Sequence, residues 1–341
     1  MSENTIVFEI EEAPEGYLEE IMSGQRTLYD LYKKPGIRGK IAYHSYTTYE
    51  EQDSEIFILD LESGEKYCIN EYLEENIKNT MNPCFNKYGT HIVFMGLYTR
   101  EYGNEWDVFI YELSTKRCVN LTKNNGYSNE DPRFSPDAMH VVYKQGSWNS
   151  EIQEMTYDIW EMDFENYKTY SLMKSESTQS MPCYGKDKGT VYCSRTHLDT
   201  NNGEIIKLSI ENEGILTELI SNNKDTHAYF PVYHDGKVYF STWNSVDNQM
   251  DKIIIFDEKT KVIIDPLFNS PRYNVSDASP INDRYLVVSS TKDSSTGYKL
   301  YLADIKTGIL FNLDKEYSFN TDDGRQQLGA SCHITSIIEV K

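Results

Sequence analysis

Six prolines, Pro35, Pro83, Pro132, Pro182, Pro231 and Pro280, stand 48, 49, 50, 49 and 49 residues apart along the 341-residue chain. Their surroundings repeat as well. Asn82-Pro83-Cys84-Phe85, Asp131-Pro132-Arg133-Phe134, Met181-Pro182-Cys183-Tyr184 and Phe230-Pro231-Val232-Tyr233 each precede a polar turn and an apolar run such as His91-Ile92-Val93-Phe94 or His140-Val141-Val142-Tyr143. A fixed period of 40 to 50 residues that contains several short β-runs is the mark of propeller blades, because one such unit cannot bury its apolar faces without a neighbour.

Alternation and β-branched or aromatic content place four strands in each unit. In the unit at Pro132 they fall near 128–134, 140–144, 157–163 and 168–172, with the turn Ser135-Pro136-Asp137-Ala138 between the first two. Seven such units would need 343 residues, close to the length of the chain, so the expected fold is an all-β, seven-bladed propeller, a single domain over 1–341. Strands near 5–10 and 17–21 are expected to share the closing blade with residues 326–331 and 333–340. A six-bladed ring with loose ends is the rival.

The stretch Asp131-Pro132-Arg133-Phe134-Ser135-Pro136-Asp137, followed by Val141-Val142-Tyr143, resembles the repeat of TolB-like propellers. That repeat usually ends in Asp-Gly-Lys; His234-Asp235-Gly236-Lys237 keeps it, whereas Asp137-Ala138-Met139 does not. The blade pattern is also similar to that of oligogalacturonate lyases. Their metal-binding histidine cluster would imply a His-x-His pair, and this chain has only Cys332-His333 to offer, so that metal site is not carried over. The resemblance implies a propeller and names no reaction.

Composition narrows the function from the other side. A net charge of −21 and a pI near 4.7 exclude the basic footprint that nucleic acid requires and disfavour an anionic membrane surface. Met1-Ser2-Glu3-Asn4 begins no signal-like segment, and six cysteines without a Cys-x-x-Cys suggest thiols in a reducing compartment; the expectation is a cytoplasmic protein. Nucleophile-elbow, zincin, P-loop and dinucleotide motifs are absent. No metal signature appears, although a divalent cation in the funnel is compatible with the sequence.

Equal steps along the repeat become equal steps around a ring. The residues two to four positions before each blade proline, and before Gly329 at the same phase, therefore define a funnel mouth: Asn79, Glu130, Gln179, His227, Asp277 and Arg325. Tyr98, Arg100, Trp148, Arg195 and Trp243 would reach it from the loops joining second to third strands. In this arrangement His227 is suited to general-base chemistry, Arg195 or Arg325 to neutralising a carboxylate or oxyanion, and Tyr229 to proton donation. The aromatic residues suit a sugar or a peptide. Two functions follow: a small polar ligand, carbohydrate-like or carboxylate-bearing, bound in the funnel with lyase- or hydrolase/cyclase-type acid–base chemistry, or a non-catalytic disc that binds a peptide or protein.

Overall fold

The computed structural model describes residues 35–101, 103–151, 153–173, 177–197, 203–211, 214–221, 226–244, 249–294, 296–313, 317 and 324–338. Arg38–Ser336 forms one compact unit. Met1–Ile37 with Ile337–Lys341 forms another, of which only 35–37 and 337–338 are described.

Six four-stranded antiparallel sheets make up the larger unit. Blades two to six are simple meanders over residues 77–120, 128–173, 178–221, 226–264 and 275–312. The first blade is composite: Gly36–Tyr46, Glu55–Asp60 and Lys66–Cys68 supply three strands, and the closing strand Gln326–Ile338 pairs with Gly36–Tyr46 as the fourth. Ring closure therefore joins one C-terminal strand to three early ones.

The expected strands of the Pro132 unit are present as Ser128–Phe134, His140–Asn149, Glu154–Asp163 and Lys168–Met173. The count of seven is corrected to six. Lys40 pairs with Asp60 as His91 pairs with Glu112 and His140 with Asp163, so Lys40 stands at the start of a second strand. Pro35 consequently lies just before that strand, not in a first strand where the other blade prolines lie. The unit around Gly329 is the missing first strand of this same blade and not the start of a seventh. The strands expected near 5–10 and 17–21 lie outside the described residues.

Apolar burial is concentrated in the seams between blades. Ile58, Phe85, Phe94 and Phe109 pack between blades one and two, Cys193, Ile206 and Tyr184 join Val142 and Ile159 between three and four, and Tyr239, Ile255, Leu286 and Tyr301 pack between five and six. Each blade is thus a wedge whose two faces are both covered. All six cysteines are thiols. No described helix is long and apolar enough to cross a membrane.

The innermost strands each break register near the axis. The pairing shifts at Met81/Cys84, Glu130/Arg133, Ser180/Cys183, Tyr229/Val232 and Ser276/Ser279. Within those bulges Asn82, Asp131, Met181, Phe230 and Asp277 hold φ between 51° and 54°, and Gly329 in the closing strand holds 60°. A bulge turns peptide groups out of the ladder, and here neighbouring blades capture them. His44 Nδ1 accepts the Asn82 N–H at 3.4 Å, Asp131 Oδ2 the Met181 N–H at 3.2 Å, Ser241 Oγ the Asp277 N–H at 3.1 Å and Asp277 Oδ2 the Gly329 N–H at 3.0 Å. Asn82 Nδ2 donates to Asp131 Oδ1 at 2.7 Å, and Ser194 Oγ donates to the Ala228 carbonyl at 2.7 Å. Every one of the six seams therefore carries a polar clasp near the axis.

Gly329 leaves little room for a side chain. A Cβ there would lie 2.6 Å from two His44 ring atoms and 3.0 Å from Asn82 Oδ1. Gly329→Ala is expected to cost about 1–3 kcal/mol through the left-handed backbone and this crowding. The midpoint of guanidinium unfolding measures it; an unchanged midpoint would show that the seam yields freely.

Candidate functional site

Each candidate at the mouth has a definite place, and several are already engaged. Asn79 is buried and accepts the Ser54 N–H at 3.3 Å. Arg325 bonds Asp53 Oδ2 at 3.1 Å, the Ser45 carbonyl at 2.6 Å and the Asp53 carbonyl at 2.9 Å, with Glu55 at 3.4 Å. Both residues therefore tie their blades to the loop between the second and third strands of blade one. Buried Gln179 donates to the Ser177 carbonyl at 2.7 Å.

The loop arginines are neutralised inside their own blades. Arg100 pairs with Glu105 and with fully buried Asp107, each at 2.5 Å, beneath the Tyr98 ring. Arg195 donates its Nε to Glu204 at 2.7 Å, and His197 meets the same carboxylate at 2.9 Å. His227 lies edge-on to Trp243 with centroids 6.1 Å apart, against Gly203, where a Cβ would clash with the imidazole. Its Nδ1 is buried without a partner, and burial lowers its pKa. Trp148 is 60% exposed on the hairpin of blade three.

Glu130 and Asp277 are both buried. Glu130 is held by Lys144 Nζ at 3.0 Å and by Ser128 Oγ at 2.9 Å; Lys144 also meets Asp131 at 3.3 Å and lies 4.6 Å from the Tyr157 ring centroid. Burial alone would lower the Lys144 pKa, but Asp131 and Glu130 outweigh it and raise the value. Asp277 is pushed upward by burial, against the Ser276 hydroxyl at 2.8 Å and the Gly329 N–H.

A chain of acids and hydroxyls runs from this aspartate into the seam between blades five and six. Ser276 Oγ meets Tyr229 Oη at 3.1 Å, Tyr229 bonds Asp251, and Tyr298 donates to Asp251. Burial raises the Asp251 pKa, and burial followed by the two carboxylates raises that of Tyr229. Two carboxyl groups and two phenols are thereby linked with both acids biased toward protonation.

Residues that the sequence reading left out of the site complete the centre. Arg133, on blade three, places its guanidinium 4.8 Å from the Phe230 ring centroid on blade five. Its charge is felt at His44 on blade one, Cys183 on blade four and Asp277 on blade six. Among the described residues no carboxylate lies within ion-pair distance of it. Tyr46 stacks on His44 at 5.7 Å, and burial followed by the Asp277 charge pushes its pKa up to about 12. Exposed Tyr49 lies within the fields of Glu130 and Lys144. The signals for these residues were the Asp-Pro-Arg of the repeat itself and the charged Lys144 that ends the apolar run Val141-Val142-Tyr143.

With this geometry in view, comparison with solved structures is informative about the fold. TolB from Acinetobacter baumannii superposes with a TM-score of 0.62 at 13% identity, over 93% of this chain and 70% of that one. The fold is shared with TolB. Kuenenia stuttgartiensis hydrazine synthase gives a TM-score of 0.67 at 10% identity over 90% of this chain, which spans only 48% of that protein. An oligogalacturonate lyase in complex with manganese gives 0.50 at 12% identity, over 81% of this chain and 74% of that one. No family profile matches the sequence, and no curated protein matches it. At such identities the likeness concerns architecture, and the neighbours include TolB proteins, a lyase and a puromycin-hydrolysing peptidase from Mycobacterium tuberculosis.

Proposed function

We propose that the axial funnel binds a small polar ligand, carbohydrate-like or carboxylate-bearing. The observation that carries this reading is Arg133, an axial cation without an ion-pair partner among the described residues, whose charge reaches four other blades through its contact or its field. A guanidinium in such a position suits a carboxylate, and Tyr46 and Tyr49 supply faces for a ring. The acid–hydroxyl chain Asp277–Ser276–Tyr229–Asp251 supplies proton donors close by. His227 is the candidate base, since its depressed pKa keeps the imidazole neutral at pH 7. Neutralised Arg100, Arg195 and Arg325 serve this reading by fixing the loops around the mouth.

Calorimetric titration with a uronic-acid monosaccharide and its neutral hexose counterpart tests it. The acid should bind at least tenfold more tightly, and Arg133→Gln should erase that preference while the protein stays folded. Equal affinity for both sugars, or a preference that survives Arg133→Gln, would sink the reading.

Exposed Trp148, Tyr127 and Tyr49 favour a second reading, a peptide-binding disc, because all three lie on the face that carries the loops between second and third strands. In that case Trp148→Ala would weaken capture of a peptide partner and leave sugar titrations untouched.

A further inference from the structure

A second site lies away from the axis, in the seam between blades two and three. A cleft of about 260 Å³ opens there beneath the connector that carries Lys123 and Asn125. Its floor is buried: Tyr143 is 1% exposed and Gln145 8%. The Tyr143 hydroxyl has no hydrogen-bond partner although it is enclosed. A buried hydroxyl left in that condition is costly, and a polar group entering the cleft would satisfy it. Gln145 donates its side-chain N–H to Asn129 Oδ1 at 3.1 Å, which leaves its carbonyl oxygen as an acceptor. The two floor residues therefore offer one donor and one acceptor side by side, the complement of a single hydroxyl.

The walls and rim specify the rest of the molecule. Trp160 and Met162 line the cleft with apolar surface, suited to an aromatic or compact aliphatic body. Asn125 is locked by reciprocal 3.0 Å bonds with Asn129, so the connector is held in place over the cleft. Lys123 is exposed at the rim and forms no ion pair among the described residues. Such a lysine is suited to a carboxylate. The volume falls somewhat below the ~300 Å³ at which drug-sized pockets begin, which limits the occupant to about one ring.

We infer that the seam cleft between blades two and three binds a small hydroxy-carboxylic acid, with its hydroxyl between Tyr143 and Gln145, its body against Trp160 and its carboxylate at Lys123. The inference is independent of the axial funnel and of Arg133.

The test is calorimetric titration of the full chain with 4-hydroxyphenylacetate, phenylacetate and the methyl ester of the former. The hydroxy acid should bind at least tenfold more tightly than either comparison compound. Tyr143→Phe removes only the hydroxyl; it should bring 4-hydroxyphenylacetate down to the level of phenylacetate without lowering the melting temperature. Lys123→Ala, a surface change, should abolish the preference for acid over ester and so tests the site even if Tyr143→Phe folds poorly. Absence of millimolar binding by the hydroxy acid overturns the inference, as do preferences that persist in both variants. Arg133→Gln should leave all three titrations unchanged, which separates failure here from failure of the axial reading.

Discussion

Asp131→Ala is expected to lower the stability of the ring by about 3 kcal/mol, with a fall in melting temperature of roughly 4 °C. Asp131 is 5% exposed and joins three blades at once: it takes the Asn82 side-chain N–H from blade two, the Met181 backbone N–H from blade four and the Lys144 ammonium from its own blade. Removing the carboxylate strands a buried peptide donor and leaves Lys144, among the described residues, with Glu130 as its carboxylate partner. Both consequences are expensive in a site with little water. Asp131→Asn keeps acceptor capacity and loses the charge, so its cost should fall between those of the wild type and the alanine variant. Guanidinium unfolding followed by tryptophan fluorescence measures the series. A loss below about 1 kcal/mol for the alanine variant would show that the clasp is dispensable.

That residue also shows where sequence reasoning succeeds and where it stops. The repeat was legible because each blade reuses the same turn and the same apolar alternation, and Ser128–Phe134 falls where the pattern put it. The blade number was not legible, since a proline at nearly the right spacing marks either a first strand or the entry to a second. Only the pairing of Lys40 with Asp60 distinguishes the two. Asp131 stands within the repeat motif, but nothing in that motif says that its carboxylate joins three blades.

Arg100, Arg195 and Arg325 looked like free cations at a funnel mouth because charge pairing is a three-dimensional property. The Asp53 that engages Arg325 is 272 residues away in sequence. His44 and Lys144 stayed hidden for a related reason: each ends an otherwise apolar strand run, and nothing local says that the strand points them at an axis. Convergence on that axis was predictable from the repeat, but which residues the bulges turn inward was not, because the left-handed residues Asn82, Asp131 and Asp277 are held by inter-blade hydrogen bonds that no local signal announces.

His44 should make the protein progressively less stable as the pH falls below neutrality. It is buried against the axial clasp, and burial, then the Arg133 charge, depress its pKa to about 3, with Asp131 opposing. An unfolded histidine titrates near 6.5. Between about pH 6.5 and 3 the unfolded chain binds a proton that the folded chain refuses, so stability is complete above the unfolded pKa and is lost as the pH drops. The slope approaches about 1.4 kcal/mol per pH unit for this one group. Its geometry agrees: Nδ1 accepts the Asn82 N–H, which requires a neutral ring protonated on Nε2.

Other groups contribute, and their signs are known. His227, His234 and His333 are lowered by burial and act in the same direction, whereas the raised carboxyl groups Asp251 and Asp277 act in the opposite one. A single variant isolates the His44 term. His44→Gln keeps a side-chain acceptor for the Asn82 N–H and cannot titrate. Unfolding free energies measured from pH 7.5 to 4.5 should therefore fall less steeply for His44→Gln than for the wild type, with the two slopes differing by about 1 kcal/mol per pH unit below pH 6. The difference in slope is the readout, since any loss of packing shifts the whole profile equally. Parallel profiles would mean that His44 takes up its proton in the folded ring as readily as in the unfolded chain, and the axial clasp would then have to tolerate an imidazolium beside Arg133.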